Sequence, residues 1–311
     1  MRTLILTLMI TSLTGCFGNW SNADLEYADA LPRREDLRAK LPNASTSQPL
    51  EGVATRRDGL MVGDPSNAWA LTKKAGSDFN TLLDLVLGVV DQVRAAPPTS
   101  RTATSRTWGP FDDSNNADRQ VQVVIEKTDE TTFAWRIESR ATGKDFIRIL
   151  DGNFVATMSA RKGQGNFVVH FKDFRDVVKV TDDMKKLDSL TVGYVTDMYP
   201  LRAEMLFEFA AGTTVPYSSV GYTARQQQDL SGAIRFVYTL SGPEIEEAII
   251  DASWKSTGEG KATGTVTKGL YSGATINECW GKTFAVTYYK ESWIGGTSSG
   301  SSTDCPTIDG F

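Results

Sequence analysis

The sequence is poor in the side chains that carry most protein chemistry. It has one histidine, His170, and three cysteines, and its 33 lysines and arginines are outweighed by 38 aspartates and glutamates, for a net charge of −5. A single histidine leaves no second imidazole for a histidine-based metal centre. The acidic balance, with no basic block, argues against nucleic acid as a partner. After the first ten residues no apolar run approaches the length of a membrane-spanning helix. Apolar and aromatic residues are well supplied, at 40% and 10%, which suffices for a substantial core.

The N-terminus has its own logic. Met1-Arg2 supplies a positive charge, Leu4 to Ile10 an apolar run too short to cross a bilayer, and small residues follow, as in a secretory signal. Leu13-Thr14-Gly15-Cys16 then resembles the lipobox of bacterial lipoproteins. The resemblance implies that residues 1–15 are removed and that Cys16 becomes a lipidated N-terminus carrying a diacylglyceryl group and usually a third, palmitate-like chain. One acyl chain holds a protein only marginally, whereas two or more, at about 0.8 kcal/mol per buried methylene, hold it stably. Phe17 stands where an aspartate retains many such proteins at the inner membrane, so the resemblance implies the outer membrane of a Gram-negative cell. The expected organisation is a signal peptide over 1–15, a lipidated tether over 16–65 that lifts the body from the membrane, and a single domain over 66–311.

With Cys16 set aside, Cys279 and Cys305 remain, and in an oxidising compartment they are expected to form a disulfide. The tract Gly295-Gly296-Thr297-Ser298-Ser299-Gly300-Ser301-Ser302 lets the tail fold back. Closing such a loop contributes about 3 kcal/mol in the chain-entropy picture. No histidine lies near the two cysteines, so they make a poor metal site.

One long helix is expected, with Ser77 or Asp78 as N-cap and Pro97-Pro98 beyond its end. Phe79, Leu82, Leu83, Val86, Val89, Val90 and Val93 repeat at helical spacing, and Leu85 and Leu87 widen the stripe. Such a helix wants to be enclosed. Phe79, Leu82, Leu83, Val86 and Val90 are therefore the candidate ligand-facing residues if it acts as a lid rather than a core element.

After Arg101 the period changes to two. Val121, Val123 and Ile125 alternate with polar residues, as do Phe133, Trp135 and Ile137, then Phe167, Val169 and Phe171, and later Ile234, Phe236 and Tyr238. Asp151-Gly152-Asn153, Lys162-Gly163, Ser241-Gly242-Pro243 and Thr257-Gly258 read as turns between strands. The fold class is mainly β: a large antiparallel meander of roughly ten to thirteen strands, a barrel, half-barrel or curved sheet packed around the helix. Trp69-Ala70-Leu71-Thr72, Asn80, Pro97-Pro98-Thr99, Trp108-Gly109-Pro110, Gly258-Glu259-Gly260, Glu278-Cys279-Trp280 and Tyr288-Tyr289, in that order, resemble a group of lipoproteins from predatory, myxobacteria-like Gram-negatives. That likeness spans residues 67–290 and brings no assigned activity and no catalytic residue.

Motifs that suggest chemistry are better explained otherwise. His170 falls on the strand face opposite Phe167 and Phe171, as a solvent-facing or satisfied strand residue. Gly296-Thr297-Ser298-Ser299-Gly300 matches a nucleophile elbow in letters alone, because no helix and no histidine follow it. Asp112-Asp113-Ser114-Asn115-Asn116-Ala117-Asp118 reads as a solvated turn in preference to a calcium loop. Glu244, Glu246 and Glu247 read as an exposed strand edge. No catalytic residue, metal site or cofactor is expected. The sequence points to an envelope lipoprotein acting as a structural or interaction module, anchored through Cys16 and contacting an envelope protein. Its alternative is a binder or carrier of a lipid or other apolar ligand.

Overall fold

The computed structural model describes residues 20–42, 59–113, 116–175, 182, 184–213, 215–240 and 245–310. The expected signal peptide and Cys16 lie outside the described residues, as do Ser114, Asn115, the Ser241-Gly242-Pro243 turn and Glu244. The chain divides into two compact units where a single domain over 66–311 was expected: Met1–Arg38 with Thr81–Thr213, and Ala39–Asn80 with Thr214–Phe311.

Among the described residues fifteen strands follow one another in chain order, and the paired neighbours are antiparallel. The first unit holds β1 (Ser100–Arg101), β2 (Ser105–Asp112), β3 (Arg119–Lys127), β4 (Thr132–Ala141), β5 (Ile147–Ser159), β6 (Lys162–Val169), β7 (Leu187–Val195) and β8 (Leu201–Phe209). The second holds β9 (Tyr217–Gln226), β10 (Gly232–Leu240), β11 (Glu246–Trp254), β12 (Gly260–Lys268), β13 (Thr275–Trp280), β14 (Val286–Glu291) and β15 (Ser298–Gly300). Among the described residues β1 pairs with β2 alone and β15 with β14 alone, so the meander is open and the barrel form is not adopted. The period-two pattern has the expected outcome: on β8 Leu201, Ala203, Met205 and Phe207 are buried, and Arg202, Glu204, Leu206 and Glu208 between them are exposed.

Two glycines taken for turns lie inside strands. Gly152 sits in the middle of β5 opposite Trp135, and a β-carbon there would lie 2.7 Å from the Phe167 Cβ. Gly163 is the second residue of β6, close under the Phe154 ring. In the second unit Gly232 and Gly260 face Trp254 across the ladder. Glycine here admits a large ring from the neighbouring strand, which a sequence scan reads as a turn. Thr257-Gly258 is a turn as expected, between β11 and β12.

The largest departure is the segment expected to be a tether. Residues 20–42 are folded. Helix α1 (Asn22–Asp29) starts with a capping box: the Ser21 hydroxyl accepts from the Asp24 backbone N–H at 3.1 Å, and the Asp24 carboxylate accepts from the Ser21 N–H at 2.9 Å. Asp24 is buried and paired with Arg106 at 2.6 Å and Arg101 at 3.0 Å, while the Arg106 guanidinium also lies 4.5 Å over the Tyr27 ring. Burial pushes the Asp24 carboxyl up, but hydrogen bonds from Arg101, the Ser21 backbone and Arg106 outweigh it and hold the group well below the usual carboxylate range. A short helix α2 (Arg34–Leu37) follows; Arg34 is paired with Asp91, and Arg38 with Asp84. Arg94 donates to the carbonyl oxygens of Leu31 at 2.6 Å and Pro32 at 2.7 Å.

Asp24→Ala leaves Arg106 buried beside no carboxylate and is expected to cost about 3 kcal/mol or more. The checks are a lowered Tm and new protease cleavage within residues 20–38; an unchanged Tm would show the pair to be incidental. Gly152→Ala is expected to cost about 1–3 kcal/mol by crowding. Gly193→Ala, where a β-carbon meets nothing within 4 Å among the described residues, is expected to be near neutral in the same denaturation assay.

Candidate functional site

Helix α3 spans Asn67–Val93, starting ten residues before the expected N-cap. Its first turn explains why. Ser66 caps it, its hydroxyl accepting from the Trp69 N–H at 2.9 Å and donating to Glu278. Glu278, buried on β13, accepts from the Ala68 N–H at 3.1 Å, so a carboxylate from a distant strand neutralises the positive end of the helix. Gly76, an apparent break in the pattern, is accommodated because the Leu41 side chain occupies the space a β-carbon would need.

In the second unit the helix carries Trp69 and Phe79 inward. Trp69 stacks on Phe284 with centroids 4.5 Å apart and tilts against Trp280 at 5.8 Å. Phe79 meets Tyr222 edge-on at 6.4 Å. Tyr217 and Tyr238 are 5.5 Å apart and continue this aromatic face of β9 and β10. Burial pushes the Tyr222 and Tyr238 hydroxyls up, so both keep their protons. The Asn80 amide closes this part of the helix by exchanging two 2.9 Å hydrogen bonds with the backbone of Ala39.

In the first unit Leu83, Leu87, Val90 and Val93 are buried. Of the five candidate ligand-facing residues, Phe79, Leu83 and Val90 are therefore core positions, while the side chains of Leu82 and Val86 lie outside the described residues. The inner strand face of this unit is aromatic: Trp135 with Phe167 at 5.6 Å, Phe167 with Tyr194 at 6.4 Å, and Phe154 stacked on Tyr194 at 6.3 Å. Two polar atoms within it, the Trp135 Nε1 and the Tyr194 hydroxyl, are buried with no hydrogen-bond partner among the described residues. Burial pushes the Tyr194 hydroxyl up, so it keeps its proton; like the Trp135 indole N–H, it is a donor with no acceptor among the described residues. Native proteins leave few such groups. An oxygen of an ester or amide would satisfy either.

The other sequence candidates are placed as follows. Cys279 and Cys305 are joined as a disulfide, with 5.4 Å between their Cα atoms. His170 follows β6 directly, half-buried, its Nε2 2.5 Å from the Asp151 Oδ1. Ser298–Gly300, from the false elbow motif, form the last strand. In the aspartate-rich turn Asn116 donates to Asp113 at 2.7 Å. Glu247 pairs with Lys268 at 2.9 Å and accepts from Thr267, while Glu246 is exposed. Among the described residues no group of three or more His, Cys, Asp and Glu side chains is placed to hold a metal ion.

Sequence reasoning missed Glu278 and Tyr194. A signal for Glu278 existed, since it sits between Ile276 and Trp280 on the apolar face of β13, where alternation calls for a hydrophobic residue. No family model, curated protein or solved structure matches the chain.

Burial pushes the Glu278 carboxyl up, only partly opposed by hydrogen bonds from Ser66 and the Ala68 and Asn67 backbone. A carboxyl whose folded value is raised binds its proton more tightly in the native state. Its contribution is full below about pH 4.3 and is lost as pH rises through the folded value. Glu278→Gln removes that titration. The Tm of the wild type relative to the variant is expected to fall as pH rises from about 4.3, and a pH-independent difference would refute the assignment.

Proposed function

We propose that this chain is a lipid-anchored protein of the bacterial cell envelope that acts as a structural or interaction module. The observation that carries the reading is Leu13-Thr14-Gly15-Cys16 placed directly after a short apolar run. The folded body gives it a further consequence. Three residues, 17–19, separate Cys16 from Trp20, the first described residue. At about 3.6 Å per residue, an acylated Cys16 keeps the start of the first unit within roughly 14 Å of the lipid. The anchor is then a short leash on a folded segment, and the outer membrane remains the proposed location.

The packing of α3 favours an interaction module over a carrier with a mobile lid. Ser66 and Glu278 hold its first turn, and Arg34 and Arg38 pair with Asp91 and Asp84 along its later part. A lid would have to release these contacts. The proposed architecture is accordingly an open antiparallel meander with a long, firmly held helix.

A second reading, a carrier of a lipid or other apolar molecule, is favoured by one observation: the partnerless Trp135 Nε1 and Tyr194 hydroxyl. Its ligand would be apolar and carry an ester or amide oxygen.

Two measurements separate these readings. Mass spectrometry of the N-terminal peptide from membranes of a Gram-negative host is expected to show a chain starting at an acylated Cys16, and Cys16→Ala is expected to release the protein from those membranes. A soluble chain with unmodified Cys16 would sink the anchor. Solvent extraction of purified protein is expected to yield no stoichiometric lipid. Recovery of one, reduced by Tyr194→Phe, would put the carrier reading first.

A further inference from the structure

The connections at one end of the second unit have the wrong chemistry for solvent. In an antiparallel meander alternate connections share an end. The start of β11, the β12–β13 loop and the β14–β15 loop are therefore neighbours. Local contacts agree: the Thr275 N–H donates to the Ser292 hydroxyl at 2.7 Å, the Ser292 N–H to the Thr275 carbonyl at 3.0 Å, and the Glu246 side chain fills the space beside Gly269.

The two complete loops are Gly269-Leu270-Tyr271-Ser272-Gly273-Ala274 and Ser292-Trp293-Ile294-Gly295-Gly296-Thr297, and neither contains a charge. Both are tight turns, closed by the Ser272 N–H on the Gly269 carbonyl at 3.1 Å and the Gly296 N–H on the Trp293 carbonyl at 2.9 Å. Turn tips ordinarily carry Asn, Asp, Gly or Pro. Here the fractional exposures are 76% for Leu270, 69% for Tyr271, 43% for Trp293 and 105% for Ile294. Ile245, directly before β11, adds a fifth exposed apolar side chain at the same end. The opposite end of the unit differs: its loops carry Asp229, Lys255, Glu259 and Lys282, and Leu230 is their one strongly exposed large apolar residue among those described.

We propose that the Leu270-Tyr271 and Trp293-Ile294 tips insert into the interfacial layer of a lipid bilayer. Two aliphatic side chains beside a tryptophan and a tyrosine are the combination that partitions to the boundary of headgroups and acyl chains. Uncharged tips cost nothing in charge desolvation there. Protruding turns enter a fluid surface without needing the matched flat patch of a protein partner. An acylated Cys16 would also keep the chain at a membrane, since three residues separate it from the start of the first unit. To that extent the inference deepens the proposed function. Its assay uses unacylated protein, so that the two fail separately.

The test uses the chain from residue 16 onward with Cys16→Ser, exported behind a cleavable signal that directs no lipidation. It is floated with vesicles of phosphatidylethanolamine and phosphatidylglycerol. The unaltered tips are expected to carry the protein up with the vesicles and to shift Trp293 emission to the blue, a shift that Trp293→Phe removes. Leu270→Ser with Ile294→Ser is expected to weaken partitioning about tenfold or more, since each side chain would lose its apolar burial. Leu230→Ser at the opposite end is expected to bind as before. Thermal melts verify that each variant folds, with Leu270→Gln and Ile294→Gln singly as replacements if the double variant does not. Failure of the parent protein to float, or flotation of the double variant at parental strength, overturns the proposal. So does self-association in the absence of vesicle binding, if the double variant abolishes it, because that outcome makes a second copy the occupant.

Discussion

A strand with one apolar face and a helix with a broad apolar stripe are each unstable in water alone, and the rest of the structure depends on covering both. Trp69, Ala75, Phe79, Leu83, Leu87, Val90 and Val93 recur along α3 and are all buried. Their burial is the dominant favourable term available to a helix of this composition. Polar contacts then fix where the helix sits. Ser66 and Glu278 satisfy its first N–H groups, and arginines from the preceding segment pair with acidic residues on its polar side. Such pairs contribute little at the surface, but they select one arrangement where hydrophobic burial alone is not directional.

Charge buried with a partner recurs in the N-terminal segment. Asp24 lies against two guanidinium groups and two N-cap hydrogen bonds, and Arg106 shares its face with Tyr27. Removing either member leaves the other charge desolvated, so this small cluster makes residues 20–38 part of the first unit. The Trp135 and Tyr194 donors are the opposite case, polar groups buried without a partner among the described residues, which is costly unless something else satisfies them.

Alternation made the strands legible because side chains on a strand change face at every residue and one face here meets a core. Cys279 and Cys305 were legible by elimination. The strand glycines were not, since Gly152 looks like a turn until Trp135 and Phe167 are placed around it. The start of α3 was not legible either: Gly76 resembles a stop, and its tolerance depends on Leu41, 35 positions away. Glu278 broke the alternation of its strand and was readable in principle as a charge with a special partner.

The sequence by itself determined the class of structure: antiparallel strands from a period of two, a long helix from an apolar stripe at helical spacing, and a tail disulfide from two unassigned cysteines. These are local patterns, and local sterics and hydrophobicity suffice to specify them. Only the tertiary structure decided that residues 20–42 fold, that the meander stays open, and that a glutamate from β13 caps α3. It also brought the uncharged apolar turns of the second unit to one end. Each of these depends on groups far apart in the chain meeting in space, and the energy of a buried ion pair, a cross-strand ring or a shared loop end exists only once they have met.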